Sequence, residues 1–410
     1  MQKVLVILML LISALSVSAW DDTGHKISAY IAWQRMSPEV REKAVKILLS
    51  APEDSDLSVL YPNDSRSEMT KKRELFMLAS YWSDIVRDRK FDVRYKKYHK
   101  GNWHYADTFW RSDNGKFEEL QGFEEGGQAV IKLYEFDKVL RDAAVPDADK
   151  AIALAWILHL GGDIHQPLHT SARVTEIEPK GDQGGNLFSL TPEGTPRERS
   201  ENLHWYWDSI VRNSVVRKKD AGDSAFLPPI ADAMMKKFPF AKMQSNLALG
   251  NFDEWQKQSF KFNPTNVFSA DLIRYQMPTA KYKKNAFRVS QQQLAMAGYR
   301  LGEMLNQILG SNSTSANANS NVNAQGEVCK IIRRVEYPVT KTRSGENPPK
   351  MEIGLLNLCP ANAGMAARPM YSFMINGEMK MREYDVDRIF KTEQEAREFA
   401  VKNGITDISF

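Results

Sequence analysis

The stretch Ala151-Ile-Ala-Leu-Ala-Trp-Ile-Leu-His159-Leu-Gly-Gly-Asp163-Ile-His165-Gln-Pro-Leu-His169 begins as an unbroken apolar run and ends in imidazoles and a carboxylate. The run predicts a buried helix over about 147–164. His159 and Asp163 stand four apart, so both side chains project from one helical face. Pro167 disfavours helix at Gln166, so the chain turns there and His169 leaves on a different vector. One helix end can thus serve two neighbouring cations. Imidazole and carboxylate together are what a borderline-soft ion such as zinc binds.

The same spacing returns in His204 and Asp208, within Leu203-His-Trp-Tyr-Trp-Asp-Ser-Ile210. One such pair alone reads best as polar positions on an amphipathic helix. Two pairs, with His169 in a turn close by, reverse that balance, because buried ionisable groups are costly unless paired or metal-bound. Trp205, Tyr206 and Trp207 suggest that the second pair is buried. Six of the seven histidines, His25, His104, His159, His165, His169 and His204, sit in arrays that also supply carboxylates. His99 is the outlier and reads as an ordinary, partly exposed histidine. Tyr81-Trp-Ser-Asp84, with Arg87 three residues on, and Trp103-His-Tyr-Ala-Asp107 are unremarkable by spacing alone.

Around this centre the pattern from Trp20 to about Leu309 is helical. Segments near 23–35, 38–49, 71–88, 124–143, 147–164, 201–215, 229–238 and 288–309 carry apolar residues at three- and four-residue spacing. Ser37-Pro38-Glu39 is a cap followed by proline at the first helical position. No period-two run stands out here, so 20–309 reads as one all-α domain and the chain as mainly α. Residues 310–326 are polar and low in complexity and read as a flexible linker. From 327 to 410 the texture becomes that of a small α+β module. Val328 to Val339 is strand-like, and Tyr371–Ile375, Asn376-Gly377 and Glu378–Tyr384 form a hairpin pattern. Thr392 and Glu395 make a capping box for a helix ending near Gly404, with a short strand at 405–410.

Residues 1–19 read as a secretory signal peptide, with Lys3, an apolar Val4–Leu15 and small residues at Val17-Ser-Ala19. The rival, an uncleaved anchor, is disfavoured by the short apolar run and the Asp21-Asp22 that follows. The expectation is a secreted or periplasmic protein with no membrane anchor after cleavage. A net charge of +4 does not by itself argue for a polyanionic ligand. The two cysteines, Cys329 and Cys359, read in an exported chain as one disulfide worth about 3–4 kcal/mol; two free thiols are the alternative. Asn63-Asp-Ser65 and Asn312-Ser-Thr314 match glycosylation sequons, a weak signal.

Cleavage after Ala19 leaves Trp20-Asp-Asp-Thr-Gly-His25 as the new start. A terminal α-amine, with a pKa of about 7.7–8, gives up its proton readily to a metal. Here the chain resembles the zinc-dependent, single-strand-specific S-one/P-one nucleases, whose superfamily includes bacterial zinc phospholipase C. The resemblance covers about Trp20 to Leu309. It rests on W-x4-H at Trp20–His25, W-x-D at Trp82–Asp84, H-[aromatic]-x-D at His104–Asp107, H-x3-D-x-H-Q-P-L-H at His159–His169, Gly184-Gly185-Asn186, and N-L-H-x3-D at Asn202–Asp208.

The resemblance implies three zinc ions. Asp84, His104, His159 and Asp163 would hold the first. The Trp20 amine and carbonyl, His25 and the bridging Asp163 would hold the second. His169, His204 and Asp208 would hold the third, leaving room for water or substrate. It further implies a zinc-held hydroxide attacking phosphorus, with Asp84 orienting or deprotonating it, Arg87 neutralising phosphoryl charge, and the third ion stabilising the leaving 3′-oxygen. Tyr105 matches the base-stacking position, with core packing as the alternative, and Asp107 the position that bonds a base edge. His165 is not a ligand; it either supports the site by hydrogen bonding or is simply structural.

The resulting expectation is an exported endonuclease that hydrolyses single-stranded DNA and RNA to 5′-phosphates, with 3′-nucleotidase activity on nucleotides, acting as a monomer. The rival among enzymes is a phospholipase C. Its weight is reduced by the five-residue step from Trp20 to His25 and by Asp208 where a glutamate would stand. A rival of another class is a non-catalytic binding protein working through residues 327–410, against which the full ligand set argues. Two intervals, Asp84 to His104 and His169 to His204, are longer than the family pattern, and the second holds a polar stretch, Thr175 to Ser200. The C-terminal module lies outside that pattern and its partner is unspecified.

Overall fold

A computed structural model describes residues 20–113, 116–123, 126–217 and 222–310, together with the backbone of short strands between 321 and 408. The chain divides into two compact units, Met1–Thr314 and Ser315–Phe410. The described helices of the first are α1 (Asp22–Arg35), α2 (Pro38–Leu49), α3 (Glu68–Ala79), α4 (Trp82–Ile85), α5 (Asp92–Tyr98), α6 (Ala129–Arg141) and α7 (Asp147–Asp163). There follow α8 (Leu203–Asp208), α9 (Ile210–Ser214), α10 (Asp223–Lys237), α11 (Phe240–Met243), α12 (Phe252–Phe260) and α13 (Ala280–Leu309).

The architecture is mainly α, as the periodicity predicts, and α7 is its axis. From Ala151 onward nearly every residue of α7 is buried, so the helix is apolar all round rather than striped. Helix α13 packs against both α7 and α1. Glycine makes these approaches possible. A Cβ on Gly302 would lie 2.6 Å from Arg35 Cβ and 2.7 Å from the Ala32 carbonyl, and one on Gly161 would lie 2.6 Å from a Leu301 methyl. Helices α1 and α7, which carry His25, His159 and Asp163, are therefore locked to one long strut.

Caps set where the ligand-bearing helices start. The Asp21 carboxylate accepts from Gly24 N (3.1 Å) ahead of His25, and Asn202 Oδ1 accepts from Trp205 N (2.8 Å) ahead of His204 and Asp208. In α2, Ser37 Oγ accepts from Val40 N with Pro38 behind it.

Three features depart from the sequence reading. The 71–88 segment is two helices, α3 and α4, broken at Ser80-Tyr81, where the Ser80 carbonyl lies 2.8 Å from His159 Nδ1. Helix α10 begins at Asp223, with Pro228 and Pro229 inside it rather than at its start. Most notably, the unit is not purely helical. A small sheet, order β2-β1-β3, joins β1 (Thr108–Asp113), β2 (Lys116–Glu119) and β3 (Ser171–Arg173). Strand β2 is exposed on both faces and β3 spans three residues, so neither writes an apolar alternation into the sequence.

In the second unit the described strands β4 (Asn321–Val322), β5 (Val328–Ile332), β6 (Val335–Tyr337), β7 (Met351–Ile353), β8 (Leu356–Leu358), β9 (Met370–Ile375), β10 (Glu378–Glu383) and β11 (Asp407–Ile408) make two sheets. One has the order β10-β9-β7-β6-β11, the other β4-β5-β8. Strands β9 and β10 pair antiparallel with Ile375 opposite Glu378, the register a two-residue Asn-Gly turn requires. Strand β4 falls inside the stretch read as linker: Asn321 pairs with Cys329 through the backbone, which needs no apolar side chain. The leader at 1–19, the Cys359 half of the expected disulfide and the helix expected at 392–404 lie outside the described residues.

Candidate active site

Asp163, the last residue of α7, stands where three buried histidines converge. Its Oδ1 is 3.2 Å from His25 Nε2, and its Oδ2 is 3.2 Å from both His159 Nε2 and His104 Nδ1. The two oxygens of one carboxylate thus face two different groups. His25, His159 and Asp163 form one cluster of potential ligand atoms; Asp84, His104 and His159 form a second that shares His159. His169, His204 and Asp208 form a third, with Asp208 3.6 Å from His169 Nε2 and 3.4 Å from His204 Nε2. These residues are buried.

The ring orientations are set by backbone carbonyls. His159 Nδ1 lies 2.8 Å from Ser80 O, His169 Nδ1 2.7 Å from His104 O, and His204 Nδ1 2.7 Å from Gly184 O. Each carbonyl accepts a hydrogen bond from Nδ1 and so turns Nε2 into its cluster, the orientation a metal needs. At His159 burial is outweighed by Asp163 and Asp84, which raise it, so a metal there would compete with a proton. Gln166 Nε2 donates to Asp208 Oδ1 at 2.8 Å and, through its own carbonyl, accepts from Leu168 N, so it fixes both the third cluster and the turn.

Charge completes the case for a cation. His25 Nε2, both Asp84 oxygens, Asp163 Oδ1, His169 Nε2 and Asp208 Oδ2 are buried with no hydrogen-bond partner. His159 Nε2 and His104 Nδ1 lie only 2.9 Å apart. A cation at each cluster satisfies these acceptors and removes the desolvation penalty. Burial and the neighbouring Arg87 push His104 down to about 3, so its imidazole is neutral and able to ligate. Burial raises Asp84 and Asp163, yet Arg87 and His159 outweigh it for the first, and His159 and His104 for the second, so both carboxyls stay below the ordinary range. At Asp208 burial wins over His204 and Gln166, and its carboxyl rises well above that range.

Trp20 is fully buried, and its indole Nε1 donates to Gly162 O (3.0 Å), one residue before Asp163. Asp21 N donates to Asp208 O at 3.1 Å. The first residues of the described chain therefore touch α7 beside one pair of clusters and α8 beside the third. Gly162 is needed there, since a Cβ would come 2.9 Å from His25 Nδ1. Arg87 Nε sits 3.0 Å from Asp84 Oδ1.

The model of the S1/P1 Nuclease family matches residues 20–310, the whole stretch that carries these clusters. The chain belongs to this family. Among its relatives, Endonuclease 2 of Arabidopsis thaliana is 26% identical over 324 residues, covering 73% of this chain and 94% of that one. Nuclease PA3 of a Penicillium species is 22% identical over 312 residues, covering 71% and 98%. Nuclease P1 of Penicillium citrinum is 24% identical over 205 residues, covering 48% and 60%. As an S1/P1 nuclease the chain is a hydrolase of phosphodiester bonds in nucleic acid, and the family is zinc-dependent.

Tyr105 and Asp107 lie on the short irregular segment between His104 and β1, where Ala106 N donates to His169 O at 2.9 Å. Tyr105 is half-buried, and Asp107 N donates to Gly126 O. Burial and the nearby Asp182 raise the Asp107 carboxyl well above its usual value. His165 stays outside all three clusters: its Nδ1 lies 2.6 Å from Gly161 O and its Nε2 accepts from Arg300 Nη1 at 2.7 Å. Trp205 departs from expectation. Tyr206 and Trp207 are buried, but Trp205 is 42% exposed, because it lies a third of a turn from the face that carries His204 and Asp208.

Sequence reasoning missed the carbonyls of Ser80 and His104, the role of Gln166, and Asp182, whose carboxylate accepts from Arg173 N at 2.9 Å and braces the Gly184-Gly185 loop. The glycine doublet was the visible signal for Asp182, and the His165-Gln-Pro-Leu-His169 run for Gln166; the carbonyls had none.

Proposed function

We propose that this S1/P1 nuclease is exported, binds three zinc ions and cuts single-stranded DNA and RNA to 5′-phosphate products, with 3′-nucleotidase activity, as a monomer. The observation that carries the reading is Asp163, one carboxylate aimed at two histidine clusters, with a third cluster formed by His169 on the turn that follows and His204 and Asp208 on α8. Among the described residues no helix is long and apolar enough to cross a membrane.

Asp84, His104, His159 and Asp163 would hold the first ion, Trp20, His25 and Asp163 the second, and His169, His204 and Asp208 the third. When bound, zinc supplies Lewis acidity to phosphoryl and leaving oxygens and brings the pKa of its water towards ~7. The remaining work falls to side chains. Asp84, ionised because Arg87 stands beside it, orients the attacking water. The free guanidinium edge of Arg87 meets charge that develops on the phosphoryl oxygens. Gln166 holds Asp208 in place towards the third cluster. Tyr105 offers a ring on which an unstacked base can lie, worth ~1–3 kcal/mol, and a duplex base cannot reach it without leaving its stack. Asp107, two residues on, would bond that base's edge.

The test is hydrolysis of single-stranded DNA, RNA and phosphatidylcholine, each with and without chelator. Chelator-sensitive cleavage of the nucleic acids is expected; cleavage of the lipid alone overturns the reading. For the second ion, a protein carrying one extra residue before Trp20 should bind fewer zinc ions, because its amine becomes an amide. Full zinc content, with intact mass showing the extra residue retained, overturns that assignment.

A further inference from the structure

The interval between two cluster residues, Asp84 and His104, contains Arg87-Asp-Arg-Lys-Phe-Asp-Val-Arg-Tyr-Lys-Lys-Tyr-His-Lys100. It has seven Lys or Arg against two Asp, a net of +5, while the whole chain is +4. The rest of the chain is therefore net −1, and the positive charge is concentrated in one arm beside the metal clusters.

The arm is built rather than loose. Its inner face is anchored: Arg94 Nη1 donates to Asp56 (2.9 Å), and the Tyr98 hydroxyl to Asp54 (2.7 Å) with its ring edge-on to Trp82. Its outer face is presented to solvent. Arg89 and Lys90 are exposed, Lys100 is half-exposed, and none of the three has a carboxylate within ion-pair distance among the described residues. Arg89 lies over the Tyr95 ring (5.4 Å), and Tyr95 stacks on His99 (4.9 Å, 20° between planes). This ties the arm's two ends together. The burial-lowered His99 feels Arg87, Arg89 and Asp84, which places this stack within electrostatic reach of the catalytic end.

We propose that this arm is a track for the phosphodiester backbone of a single strand, engaging nucleotides beyond those at the scissile bond. Arg89, Lys90 and Lys100 supply the phosphate contacts. The proposal rests on the nuclease reading and adds a dependence on strand length. A backbone track contributes through counterion release, so its signature is salt dependence, with a slope near 0.7 per phosphate for single strands.

The experiment compares the wild type with an Arg89→Ala/Lys90→Ala/Lys100→Ala variant and with Lys90→Glu. The substrates are a twenty-nucleotide thymidine strand and a thymidine dinucleotide, across a salt series. Loss of three contacts should lower the slope of log KM against log salt by about 2 for the long strand, and raise its KM at low salt at least tenfold. The kcat, and the dinucleotide KM, should stay at wild-type values. An unchanged slope, or an equal loss on the dinucleotide, overturns the proposal. If the wild type cleaves neither substrate, the nuclease reading has failed instead. Fluorescence anisotropy with a phosphorothioate strand then still reads the arm, and equal binding by wild type and variant overturns it.

Discussion

At Gly184 the backbone adopts φ +63°, and a Cβ there would stand 2.6 Å from the Leu168 carbonyl and 3.1 Å from His204 Nδ1. The position has no side chain to contribute, yet its carbonyl fixes the His204 tautomer. Gly184→Ala should therefore remove zinc from the third cluster while the other two keep theirs. Loss of such an orienting partner typically lowers metal affinity or activity by about 10–100-fold. Zinc per chain measured by atomic emission, falling by one with an unchanged circular dichroism spectrum, is the expected result; a full complement refutes it. At this scale the sequence was informative where two polar side chains share one helical face, and silent on Asp84 and His104, which stand singly. His159 with Asp163 and His204 with Asp208 were legible because a four-residue step leaves no choice of face. The Ser80, His104 and Gly184 carbonyls were not, because every residue has one.

Among elements, the loop from Val174 to Pro196 carries a pH response. Burial raises the Asp182 carboxyl from 3.8 to about 6, against the pull of Arg173 and the Gly185 amide. The folded chain thus holds this proton more tightly than the unfolded chain does. The stabilisation is complete below pH ~4 and is lost as pH rises through about 6, a change of up to roughly 3 kcal/mol. Asp182→Asn should match the wild type in urea denaturation at the acid end and exceed it at neutral pH, both measured with chelator present. Parallel curves would exclude Asp182 as the source. A second element-level test concerns α13. Arg300 donates to His165 Nε2, to the Leu247 and Asn246 carbonyls and to Gln258, all of them uncharged partners. Arg300→Met strips the donors from these acceptors and should destabilise the unit by about 3 kcal/mol or more in urea; a loss below about 1 kcal/mol would contradict that. Helix identity was legible because apolar spacing runs over many turns. The β2-β1-β3 sheet was not, since its strands are short and held by backbone pairing, with β2 exposed on both faces and β3 only three residues long.

For the whole molecule, three clusters of buried acceptors, several without a hydrogen-bond partner, make bound metal, as proposed, part of the folding equilibrium as well as of the chemistry. A ligand at a hundred times its Kd adds ~2.7 kcal/mol per site. Chelation should lower the melting midpoint on the order of ten degrees, and added zinc should restore it where magnesium does not. A midpoint indifferent to chelator would show that the clusters are self-sufficient. The division into a helical unit and a second, strand-rich unit followed from the change of texture near residue 310, and the two-residue strand at Asn321–Val322 shows where composition misled. Polar, repetitive residues can still join a ladder through their backbones.

The close packing of α13 on α1 and α7 has a consequence in time. The first helix of this unit and its last must meet across more than 240 residues of intervening chain. As the polypeptide emerges N-terminus first, His25 and Asp163 appear well before Gly302, Arg300 and Gln293, which pack on α1 and on the turn that follows α7. A chain ending before residue 300 would lack these contacts and should hold its clusters less firmly than the complete unit. The expected outcome is that a product truncated there, though it carries all three clusters, binds zinc more weakly than the full chain in equilibrium dialysis.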